Sequence, residues 1–306
     1  MRVVLGTGPV GLSLVDELVG RGYAVRVVNR SGRAELPEGS TLVRTDVSDR
    51  RALAEVIGDA EVVYNCTHVP YARQTTVLPL IQDSLIDAVG ASGARLVTVE
   101  TLSMYGPSGG APMTERTPLA ATSRKGRVRA RMVERYLDSG LPVALGVAAD
   151  FFGPRTLTSS LGAAVFPPAL DGDPVAGFGD IDLPRSYTYV PDLARGLAIL
   201  GEREEALGRL WHLPVAPALS TRQVHELIGE ILGRPIRAYL VDRPTPWGPF
   251  DEQFMAEYAE LFYWHTEPFV MDDSLFTSTF GWHATPLTEA LRTTVEWFVT
   301  RKRTVF

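Results

Sequence analysis

The stretch Arg2-Val-Val-Leu5, Gly6-Thr7-Gly8-Pro9-Val10-Gly11 and Leu12-Ser-Leu-Val15-Asp-Glu-Leu18-Val19 decides the fold. A short apolar run, a turn punctuated by glycines, and apolar residues at helical spacing up to Gly20 and Gly22 read as strand, tight turn and helix. The first glycine permits the tight turn, the second lets the backbone approach a pyrophosphate, and the third lets the helix pack closely on the strand. The helix start adds N–H donors and the positive end of its dipole. Placed between a first strand and a first helix, with another strand about 20 residues on, the pattern predicts a dinucleotide site formed by Gly6, Thr7, Gly8, Pro9, Val10 and Gly11.

The rhythm continues outward from that turn. Ala24-Val-Arg-Val-Val28, Thr41-Leu-Val-Arg-Thr45, Glu61-Val-Val-Tyr-Asn-Cys66, Arg95-Leu-Val-Thr-Val99 and Pro142-Val-Ala-Leu-Gly-Val147 are strand-like, with helical patterns at 50–57, 75–90 and 124–138. Six strands alternating with helices predict an α/β fold with a doubly wound parallel (Rossmann) sheet, because parallel neighbours need crossover connections and both faces must be covered. After residue 150 Pro and Gly thicken and the alternation lapses. The expected division is a nucleotide-binding domain over 1–150 and a smaller, partly interleaved substrate-binding unit over 151–306, with Tyr187–Val190 and Leu210–Leu213 returning to the first sheet.

Composition narrows the function classes. The chain has 306 residues, 45% of them hydrophobic, and a net charge of −6, so it can bury a core but presents no general attraction for nucleic acid or an anionic membrane. One cysteine, Cys66, excludes an internal disulfide and a multi-cysteine zinc site, and the five histidines lack metal-ligand spacing. No apolar run reaches the roughly 20 residues of a membrane span, and no leader pattern opens the chain. The expectation is a cytoplasmic protein that binds no metal and acts on a small molecule.

The end of the second strand bears on the choice of dinucleotide. An NAD site commonly places an acid there for the ribose 2′-OH, whereas this chain has Asn29-Arg30-Ser31, with no acid before Glu35. Arg30 can pair with a 2′-phosphate, and Asn29 and Ser31 can donate to it, which favours NADP over NAD. Asp46 and Val47 suit the adenine, although an Asp in Asp46-Val-Ser-Asp49 can equally cap a helix.

Taken in order, these segments resemble the extended short-chain dehydrogenase/reductase family, the NAD(P)-dependent epimerase/dehydratases, in an atypical branch. The glycine turn, Asp46-Val47, Asn65-Cys66-Thr67, Thr101-Leu-Ser-Met-Tyr105-Gly106, Asp150-Phe-Phe-Gly153-Pro154 and Arg185-Ser-Tyr-Thr-Tyr-Val-Pro-Asp192 match across nearly the whole chain. One departure stands out. The family's general acid/base Tyr, followed four residues later by Lys, is absent. The only lysines are Lys125 and Lys302, preceded four residues earlier by Ala121 and Phe298.

Setting Glu134 against the family's usual acid puts Lys125 at the Tyr position and Arg129 at the Lys position. A Lys there can hydrogen-bond the nicotinamide ribose or act as the acid, whereas an Arg cannot serve as a base. The resemblance thus implies roles at the chemistry for Thr101 and Lys125, cofactor contacts from Cys66 and Thr67, and a contact of Arg185 with a substrate phosphate; Tyr105, on the loop at the carboxyl end of the fifth strand, is the candidate replacement proton donor, and Ser103 beside it and His68 just past the fourth strand are candidate substrate contacts. It also implies a homodimer through the helices at 75–90 and 124–138, whose Ala88, Ala91, Ala130, Met132 and Val133 would permit it. An NADP-dependent oxidoreductase or epimerase is the first expectation; a dinucleotide sensor without turnover and a non-redox isomerase or cyclase are the alternatives.

Overall fold

The computed structural model describes residues 1–304. In chain order its elements are β1 (Arg2–Leu5), α1 (Pro9–Gly20), β2 (Val25–Asn29), β3 (Ser40–Arg44), α2 (Arg50–Ile57), β4 (Val62–Asn65), α3 (Tyr71–Ser92), β5 (Arg95–Thr101), α4 (Arg124–Asp138) and β6 (Val143–Ala148). There follow β7 (Asp150–Phe152), α5 (Phe166–Asp171), β8 (Val175–Phe178), β9 (Pro184–Arg185), β10 (Tyr187–Tyr189), α6 (Val190–Glu202), β11 (Arg209–His212), β12 (Leu219–Ser220), α7 (Thr221–Leu232), β13 (Ala238–Val241), α8 (Glu252–Tyr258), α9 (Ser274–Phe280) and α10 (Leu287–Thr304). Two compact units result. Of the described residues, the first holds 1–104, 119–148 and 193–213, the second 105–118, 149–192 and 214–304.

The first unit is built on a seven-stranded sheet in the order β11-β6-β5-β4-β1-β2-β3. Every pairing in it is parallel. Strands covered on both faces must be apolar throughout, and β1, β4 and β6 are buried along their whole length. The strand order reverses between β1 and β4, so the crevice at a doubly wound sheet's switch point opens at the carboxyl ends of these two strands. Leu5 and Asn65 are partners there, which places the glycine turn next to the loop after β4.

The second unit is organised as three two-stranded sheets, β10-β7, β12-β9 and β13-β8. Its core gathers Phe152, Phe166, Tyr187, Val224, Ile228, Leu291 and Phe298. Here the sequence reading needs correction. Leu210–Leu213 does return to the large sheet as β11, but Tyr187–Tyr189 pairs in parallel with β7 inside the second unit. Both segments are short apolar runs before or after a helix, and their partners are set by tertiary packing that no local pattern encodes.

Helices α3 and α4, expected to carry a dimer face, pack on each other within the chain, and Gln82 of α3 donates through Nε2 to the Met132 carbonyl of α4 at 2.7 Å. Of the residues expected to permit the dimer, Ala88, Ala130, Met132 and Val133 are buried within the chain itself and Ala91 is exposed. The exposed side of α4 carries Arg124, Arg127, Arg131 and Arg135 instead.

Candidate functional site

Residue chemistry builds the nucleotide end of the site from the turn outward. Gly6 has φ 104°, and a Cβ on it would stand 2.6 Å from the Cys66 carbonyl oxygen. A Cβ on Gly11 would run into the Gly6 carbonyl, whereas one on Gly8 would meet nothing within 4 Å. Two glycines therefore let the turn close on itself and on β4, and the third leaves an open cradle. The first turn of α1 receives no side-chain cap and holds no acidic residue. An open glycine facing an uncapped helix start suits a dinucleotide pyrophosphate, so the residues present fit that group.

Around the end of β2 the side chains take distinct parts. Asn29 Nδ2 donates to Thr7 Oγ1 at 3.0 Å and to the Arg33 carbonyl at 2.9 Å, while its Oδ1 accepts from the Gly32 N–H at 2.7 Å and from Ser31 Oγ at 3.3 Å. Asn29 thus ties the turn at 30–33 to the glycine turn, which leaves it no donor for the phosphate contact expected of it. Ser31 Oγ also donates to the Arg33 carbonyl, at 3.2 Å. Arg30 is exposed. Arg44, at the end of β3, lays its stem 3.3 Å from where a Gly32 Cβ would be and donates through Nε to the Arg30 carbonyl at 3.1 Å. The structure thus adds a second guanidinium that the sequence reading missed.

Asp46 accepts from the Ser48 N–H at 3.0 Å and Ser48 Oγ at 2.7 Å. These bonds, with Arg30 and Arg73 nearby, hold its carboxyl below the usual range. Asp49 is the helix cap, accepting from the N–H groups of Arg51 and Ala52. Val47 is buried. Cys66 is buried too, and burial pushes its thiol up to about 12, so it acts as packing beneath the turn and not as a nucleophile. Thr67 Oγ1 donates to Asn65 Oδ1 at 2.7 Å, and Asn65 Nδ2 donates to Thr98 Oγ1 at 3.2 Å, a chain of bonds that fixes the ends of β4 and β5.

At the end of β5, Thr101 Oγ1 and Ser103 Oγ lie 2.8 Å apart. Helix α4 starts beside them: Ser123 caps it by accepting from the Gly126 N–H, and a Cβ on Gly126 would stand 2.5 Å from the Ser103 carbonyl. This glycine brings Lys125 to the Thr101–Ser103 loop. Lys125 is only 2% exposed, unusual for a lysine, and its Nζ stands 5.9 Å from the centroid of the Tyr71 ring. Four residues on, Arg129 Nη1 donates to Glu100 Oε2 at 3.1 Å. Glu100 is wholly buried, and its Oε1 has no hydrogen-bond partner. Burial pushes its carboxyl above the usual range against the opposing pull of Arg129.

His68, exposed past β4, has its imidazole pKa lowered by partial desolvation and by the charge of Arg129. Tyr105 belongs to the second unit, is 2% exposed, and has its phenol pKa raised by burial and by Glu115. A phenol so shifted is a poor exchanger of protons near neutrality.

The second unit supplies Arg185, placed by β9. Its Nη1 donates to the Trp264 carbonyl at 2.6 Å and stands 3.0 Å from His265 Nδ1, and its Nη2 pairs with Asp150 Oδ2. Ser160 Oγ donates to the same Asp150 oxygen at 3.0 Å, and His265 Nε2 lies 2.7 Å from Tyr258 Oη. Desolvation and the positive charge of Arg185 hold His265 neutral. A guanidinium expected to reach a substrate phosphate is therefore bound into the protein's own fabric. Tyr258, Phe262, Trp264 and Phe269 are buried around this group, so the aromatic concentration near the C-terminus is core.

Comparison with known proteins identifies the family and similar folds. A model of the NAD dependent epimerase/dehydratase family matches residues 3–211. The chain is 25% identical over 282 residues to a UDP-glucose 4-epimerase of Corynebacterium glutamicum, covering 79% of this chain and 83% of that one. It is 27% identical over 282 residues to a 2'-dehydrokanamycin reductase of Streptomyces kanamyceticus, covering 84% and 74%. Among solved structures, the UDP-glucose 4-epimerase of Thermotoga maritima with UDP-glucose superposes with a TM-score of 0.80 at 19% identity, covering 99% of this chain and all of that one, a likeness of fold.

Proposed function

Because the chain belongs to the NAD dependent epimerase/dehydratase family, we propose that it is a nicotinamide-dependent oxidoreductase or epimerase that prefers NADP to NAD and uses Lys125 as its acid/base. The observation that carries this reading is a buried lysine in the first turn of α4, next to the Gly126 that packs on the Ser103 carbonyl, in a chain with no Tyr-x-x-x-Lys. When bound, the nicotinamide supplies hydride exchange at a carbon of the substrate. Gly6, Gly8 and Gly11 hold the pyrophosphate, and Arg30 and Arg44 meet the 2′-phosphate. The paired hydroxyls of Thr101 and Ser103 would orient the substrate oxygen, and Lys125 would give that oxygen a proton, or take it in the reverse direction.

The test has two parts. Titration of the purified protein with NADPH and NADH should show tighter NADPH binding. Lys125→Met should retain that binding and lose at least about two orders of magnitude in turnover. Undiminished turnover in Lys125→Met would refute the acid/base assignment, and binding of neither nucleotide would refute the cofactor site. A sensor without turnover is the second reading. The Glu100–Arg129 pair favours it, because Arg129 stands where the family resemblance expects the lysine and its charge is held by a carboxylate. It predicts tight NADPH binding with no oxidation by a broad carbonyl panel.

A further inference from the structure

One cleft of the second unit is lined by more acceptors than donors. The loop over 214–218, the start of α9 and the turn over 283–286 before α10 enclose about 360 Å³, within the roughly 300 to 1,000 Å³ of small-molecule sites. Every residue lining it belongs to the second unit, and none of them is a residue assigned above to the nucleotide or to proton transfer. Val215, Pro217, Met271 and Pro286 give the cleft an apolar wall.

The polar part of the lining has already spent its hydrogens. The Val215 N–H donates to Asp273 Oδ2 at 3.1 Å, which uses that donor and fixes the carboxylate against the loop. Thr277 Oγ1 donates to the Ser274 carbonyl at 3.2 Å, and Thr285 Oγ1 donates to Asp192 Oδ1 at 2.8 Å. With each hydroxyl hydrogen engaged, the two threonine oxygens have lone pairs left to offer. The Thr285 N–H is spent as well, on Asp192 Oδ2 at 2.7 Å.

The charge of the lining is also one-sided. Among the described residues neither a lysine nor an arginine lines the cleft, and His283 is its one basic side chain. Burial pushes the Asp273 carboxyl above the usual range and Asp272 adds its own negative charge, while the Val215 N–H and His283 act in the opposite direction. A carboxylate that has lost part of its water gains more from an incoming cation than one in open solvent. A phosphate or carboxylate would meet repulsion from Asp273, and an alcohol would supply a hydrogen bond but no counter-charge. A primary ammonium brings both the donors that the lining lacks and a charge opposite to that of Asp273, and a compact hydrocarbon body suits the apolar wall.

We infer that this cleft is a binding site for a small organic ammonium compound, with Asp273 as its counter-ion. The inference is independent of the reaction proposed above, since no residue of the cleft takes part in it.

Calorimetric titration of the full chain in an amine-free phosphate buffer near neutral pH tests it. Cyclohexylammonium, cyclohexanol and cyclohexanecarboxylate share one hydrocarbon body and differ in charge. The ammonium should bind saturably with a dissociation constant of about 1 mM or tighter, the alcohol at least about tenfold more weakly, and the carboxylate not at all. Asp273→Asn should weaken ammonium binding at least about tenfold, as expected for loss of a charge-assisted contact. Ala284→Leu, which fills the cleft from its half-buried wall, should abolish it. Lys125→Met should leave it unchanged.

No saturable ammonium binding up to about 10 mM, equal binding of the three compounds, or full affinity in Asp273→Asn would overturn the inference. If Asp273→Asn does not fold, Ala284→Leu carries the test, and retained affinity in that variant overturns the inference. Loss of ammonium binding in Lys125→Met would overturn it too, because the ammonium would then sit at the proposed acid/base. Retained binding in Lys125→Met with undiminished turnover supports the cleft and counts against the acid/base reading alone.

Discussion

Removing Arg129 should cost more than the surface position of most arginines would suggest, and the cost should depend on pH in a defined direction. The Arg129 side chain is 14% exposed and its partner Glu100 is fully buried, with Oε1 already lacking a hydrogen bond. In Arg129→Met the carboxylate loses the counter-charge that Arg129 supplies while remaining inside the sheet. Breaking a buried pair in this way costs about 3 to 5 kcal/mol when the orphaned group stays ionised.

Burial already pushes the Glu100 carboxyl upward against Arg129, and removal of Arg129 pushes it further. A carboxyl whose pKa is higher folded than unfolded binds protons preferentially in the folded state, so the variant loses stability as pH rises and regains it as pH falls. Urea unfolding at pH 5 and pH 8 should therefore show a smaller loss at pH 5. Adding Glu100→Gln should restore most of the stability and abolish the pH difference, since an amide carries no charge to strand. Equal losses at both pH values, or costs that simply add in the double variant, would show that Glu100 is not the group responsible.

Two further outcomes follow from other parts of the molecule. His225, on α7, is 4% exposed with neither ring nitrogen hydrogen-bonded, and burial with Arg222 nearby lowers its pKa to about 4. The unfolded state, with a histidine pKa near 6.5, takes up the proton first as pH falls, so this residue should withdraw about 2 kcal/mol of stability by pH 5 and about 3 by pH 4. Denaturant titrations of wild type and His225→Phe should diverge in pH dependence by that amount, and parallel curves would disprove it. At the nucleotide end, Arg44→Ala should raise the NADPH dissociation constant roughly tenfold or more and leave that of NADH within about twofold, as expected for loss of one charge-assisted contact. An equal effect on both nucleotides in calorimetry would make Arg44 a structural strut for the turn at 30–33.

The large sheet was legible because its information is local: apolar runs of four to seven residues, helical spacing between them, and a glycine turn in which Gly6 and Gly11 each have a steric reason. The site was legible only where one loop carries it, as with Gly6–Gly11 or Thr101–Ser103. Arg44 read as an ordinary strand residue. Its usefulness comes from β3 lying parallel beside β2, with Arg44 opposite Asn29. A signal for it did exist, since the doubly wound strand order puts the ends of the second and third strands side by side. Glu100 also had one, because an acid inside Leu96-Val-Thr-Val-Glu-Thr101 cannot be buried in a strand without a partner.

Asp150 and Arg185 had no such signal, being 35 positions apart and joined by the pairing of β7 with β10 and by a histidine a further 80 positions from the arginine. Two motif positions at which the family resemblance expects a cation free to act, Arg129 and Arg185, are each clamped by an acid of the same unit. A guanidinium so held can orient neighbours but cannot exchange a proton or receive a phosphate. On the reading proposed here, proton transfer then falls to the buried Lys125.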